Sequence, residues 1–60
     1  MENSLARAIA NFLHAVGNAA EKIGPARAYQ LSGAAYHLAE VSGCRPDVVA
    51  ILKGEDSESE

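Results

Sequence analysis

Residues 35–54 restrict the fold more tightly than any other part of the chain. Ala35-Tyr36-His37-Leu38-Ala39-Glu40-Val41 reads as a helix. Gly43 interrupts it, because glycine reaches a positive φ without steric cost. Pro46 lacks a backbone N–H, so it belongs in the first turn of a new helix. That helix covers about residues 46–53, with Val48, Val49, Ile51 and Leu52 apolar, and Gly54 is expected to end it.

The segment before this one is helical too. Leu5, Ile9, Phe12, Val16, Ala19 and Ile23 alternate spacings of four and three, which is one face of a helix over residues 4–23. Asn3 or Ser4 can cap its first turn. A second strip, Ala6, Ala10, Leu13 and Gly17, lies beside that face and is small enough for another backbone to approach. Gly24-Pro25 then closes one helix and opens the next. This second helix spans about residues 25–42, with Ala28, Leu31, Ala35 and Leu38 on one face. Ser32-Gly33 is a weak point where it is expected to break. The expected fold is all-α, a three-helix domain over residues 1–54 with two long helices and one short one. An acidic tail over residues 55–60, with no apolar residue, is expected to be disordered.

Sixty residues hold one domain, and the hydrophobic fraction of 48% argues against a wholly disordered chain. A domain this small buries only about 60% of its unfolded surface. One cysteine excludes an internal disulfide, and no Cys/His spacing suggests zinc. Self-association is the remaining way to gain stability, and the wide apolar arc of the first helix points to it. The expected homodimer interface is Leu5, Ala6, Ile9, Ala10, Leu13, Val16 and Gly17. No apolar run is long enough to span a membrane. The acidic start, Met1-Glu2-Asn3-Ser4, does not look like a secretory signal, and with the lone thiol it suggests the cytoplasm.

The formal charge of −3 is unevenly spread. Residues 1–54 hold five bases (Arg7, Lys22, Arg27, Arg45, Lys53) against four acids (Glu2, Glu21, Glu40, Asp47), a net of +1. No basic stripe of the kind that tracks a phosphate backbone is visible. His14 falls on a polar helix face, and His37 pairs in spacing with Glu40. Cys44 reads as a small core residue or as a thiol activated by Arg45. Tyr29 and Tyr36 read as half-buried edge residues or stacking platforms. No nucleophile–base constellation, phosphate loop or apolar carboxylate pair appears. The chain is expected not to be an enzyme and to have no cofactor, metal or small-molecule substrate.

Leu38-Ala39-Glu40-Val41-Ser42-Gly43, followed by Cys44, Val49 and Leu52, resembles the helix-turn-helix of lambda-repressor-like DNA-binding proteins. The resemblance covers about one third of the chain. It implies that Ala39 sits where two helices cross and that Cys44, Val49 and Leu52 pin the second helix down. That second helix would lie in the DNA major groove. Its outward residues would then include Arg45, Pro46, Asp47, Ala50 and Ile51. The DNA- or partner-binding candidates are Arg45, Asp47, Ala50, Ile51 and Lys53. Of those outward residues only Arg45 is of a type that reads base edges, whereas Asp47 repels phosphate and Ile51 would be an exposed hydrophobe. Two readings follow. One is a small helix-turn-helix-like regulator on duplex DNA. The other is a helical protein–protein interaction module, such as a dimerising adaptor, an antitoxin-like factor or an inhibitor of a larger protein.

Overall fold

The computed structural model describes the backbone of residues 3–58 and the side chains of residues 3–54. It contains three helices: α1 (Ser4–Ile23), α2 (Pro25–Val41) and α3 (Arg45–Glu58). No strand occurs among the described residues, so the chain is all-α as expected.

The joints follow from individual residues. The Asn3 side-chain oxygen accepts hydrogen bonds from the amides of Leu5 and Ala6 at 3.0 and 3.1 Å. Two amides left free by the start of α1 are thereby satisfied. At the other end, the Gly24 amide donates to the Ala20 carbonyl, and the Gly24 carbonyl accepts from Ala28. One residue thus ends α1 and begins α2. Its φ of 90° and ψ of 151° lie where only glycine is comfortable. Pro25 occupies the first turn of α2. The helix does not break at Ser32-Gly33 but runs through both. Glycine weakens a helix by about 1 kcal/mol without forbidding it, and the flanking residues suit a helix.

The turn into α3 is a Schellman arrangement. Gly43, with φ of 73°, donates to the Glu40 carbonyl at 3.1 Å, and Cys44 donates to Ala39 at 3.0 Å. Ala39 and Cys44 are both buried beside this turn. Pro46 lies in the first turn of α3, and Asp47 complements the positive end of the helix dipole there. Helix α3 does not stop at Gly54; helical backbone continues to Glu58. The tail expected over residues 55–60 is therefore helical in its first four residues, and Ser59 and Glu60 lie outside the described residues.

The core consists of Ala6, Ile9 and Ala10 from α1, Ala35 and Ala39 from α2, and Cys44 and Val48 around the start of α3. Leu13, Ile51 and Leu52 pack against it. Helix α3 rests mainly on α1 and touches α2 little. Val48 and Cys44 are the largest side chains fully removed from solvent. On α2 the inward stripe is made of small residues, Ala35 and Ala39, continued by the half-buried Ala28 and Ser32. The face expected to be buried there held Leu31 and Leu38, but both are exposed. Alanines inside allow the helix axes to approach closely, and the leucines then turn outward.

Candidate functional site

Two apolar stripes remain uncovered. On α1, Leu5, Ala8, Phe12 and Ala15 are exposed and Ala19 is half-buried, at spacings of three and four. On α2, Leu31, Ala34, Leu38 and Val41 repeat the pattern, all exposed. At 100° per residue each stripe lies roughly 120° around its helix from the residues that face the core. Leu5 and Phe12 are each 44% exposed, Leu38 48% and Val41 67%. For side chains of this size such exposure forgoes much of the roughly 1.5–3 kcal/mol that full burial of each contributes.

The stripes flank one open groove of about 300 Å³, lined by Leu5, Ala8, Ile9, Phe12, Ala34, Ala35 and Leu38. No charged or hydrogen-bonding side chain lines it. It offers only apolar contact, so it can hold another apolar surface but cannot move protons or bind a metal. A second cleft lies among Leu13, His14, Gly17, Asn18, Ser32, Tyr36 and Leu52.

The expected interface residues divide between inside and outside. Ala6, Ile9 and Ala10 belong to this chain's own core and Leu13 packs on it. Val16 is 6% exposed. Leu5 and Gly17 are exposed, and a methyl group added at Gly17 would meet nothing within 4 Å. Gly17 therefore serves no close approach within the chain. In the sequence pattern Leu5-Ile9-Phe12-Val16, Ile9 and Val16 turn inward while Leu5 and Phe12 stay exposed. The signal for the exposed stripe was Leu5-Ala8-Phe12-Ala15-Ala19, which the alanines disguise.

The α3 candidates are rearranged as well. Arg45, Asp47, Ala50 and Lys53 are exposed. Ile51 is not an exposed hydrophobe, because it is half-buried against the core. Val48, not Val49, is the fully buried residue of the helix, and Val49 is half-buried. Leu52 packs on the core beside Ile51, and α3 contacts α1 more than α2. Arg45 is already engaged within the chain. It lies 4.0 Å from the Glu40 carboxylate, and its guanidinium carbon is 6.0 Å from the centroid of the Tyr36 ring. Both partners of that ion pair are more than half exposed, so it contributes little stability. It nevertheless offsets the charge that a phosphate would need.

Cys44 is buried at 1% exposure, which fits a core residue rather than an accessible thiol. Tyr29 is 81% exposed and Tyr36 half-buried. His14 and His37 are exposed. No group of three or more metal-ligating side chains occurs among the described residues. No helix among them is long and apolar enough to cross a membrane. No family model matches the sequence, and neither a curated protein nor a solved structure is significantly similar to it.

Proposed function

We propose that this chain is a small helical protein–protein interaction module that works through the face formed by α1 and α2. The observation that carries this reading is the pair of matching, uncharged, exposed stripes on either side of one groove. Large exposed apolar surfaces on small proteins mark interaction sites.

The tight α2–α3 turn, with Gly43 at a positive φ and Ala39 and Cys44 buried beside it, supports a second reading as a DNA-associated regulator. The outward face of α3 argues the other way. It presents Arg45 and Lys53 with Asp47 between them, and Arg45 faces Glu40. Phosphate-bound proteins carry several unopposed cations.

Titration with short duplex DNA at low salt separates the two. The expected result is no binding that weakens steeply with salt. Salt-sensitive binding that Arg45→Ala abolishes would overturn the interaction-module reading. A photo-crosslinking phenylalanine analogue in place of Phe12 supplies the positive arm, and a covalent protein adduct is expected from it.

A further inference from the structure

We draw no further inference here: the strongest candidate, the uncharged apolar groove between α1 and α2, carries nothing more, because nothing in the structure shows what covers it.

Discussion

Gly17 and Gly43 look alike in the sequence and do opposite things. Gly43 holds a φ of 73° so that two amides can turn back onto the end of α2. A side chain there is strained whatever space surrounds it. Gly43→Ala is expected to cost about 1–2 kcal/mol. Gly17 sits in open space within a helix. Replacing it with alanine removes a helix penalty of about 1 kcal/mol and introduces no clash. Thermal unfolding of the two variants should move the midpoint in opposite directions, by about 4–8 °C per kcal/mol in a domain of this size. A destabilised Gly17→Ala would mean that something outside the chain packs against that position.

At the scale of the helices, the ends were legible and the rotations were not. Asn3, Gly24-Pro25 and Gly43-Pro46 act through hydrogen bonds and dihedrals within a few residues, so their meaning is local and can be read directly. How each helix turns about its own axis depends on which partner stripe packs more closely. α1 carries apolar residues around more than half of its circumference, and so does much of α2. Periodicity locates such an arc without saying which part of it is inside. On α2 the structure places Ala35 and Ala39 inward and Leu31 and Leu38 outward, the opposite of what side-chain size alone suggests. Gly54 misled for a related reason: a glycine ends a helix only where the chain has somewhere else to go. The rotation of α3 can be tested. Val48→Ala empties a fully buried site and is expected to cost about 2 kcal/mol. Val49→Ala is expected to cost less than about 1 kcal/mol. Urea unfolding giving the reverse order would restore the orientation implied by the helix-turn-helix resemblance.

For the molecule as a whole, a core of four alanines, one isoleucine, one cysteine and one valine is small for 60 residues. The larger apolar side chains are on the groove, so most of the burial still available comes from association. Self-association through the groove would couple folding to association, and the unfolding midpoint would then rise with protein concentration. Scans over a hundredfold range of concentration check this, and a constant midpoint would indicate a self-sufficient monomer. The joint between α1 and α2 bears on how fast such association proceeds. Gly24 alone separates the two helices, and its carbonyl and amide are both committed to them. With no slack to take up, the angle between the helices is held by one residue's dihedrals, and the groove is shaped before any encounter. Docking then requires little reordering of backbone. The encounter rate is set by diffusion and by the orientation of two small flat faces, and the lifetime of the pair by how well their side chains interleave.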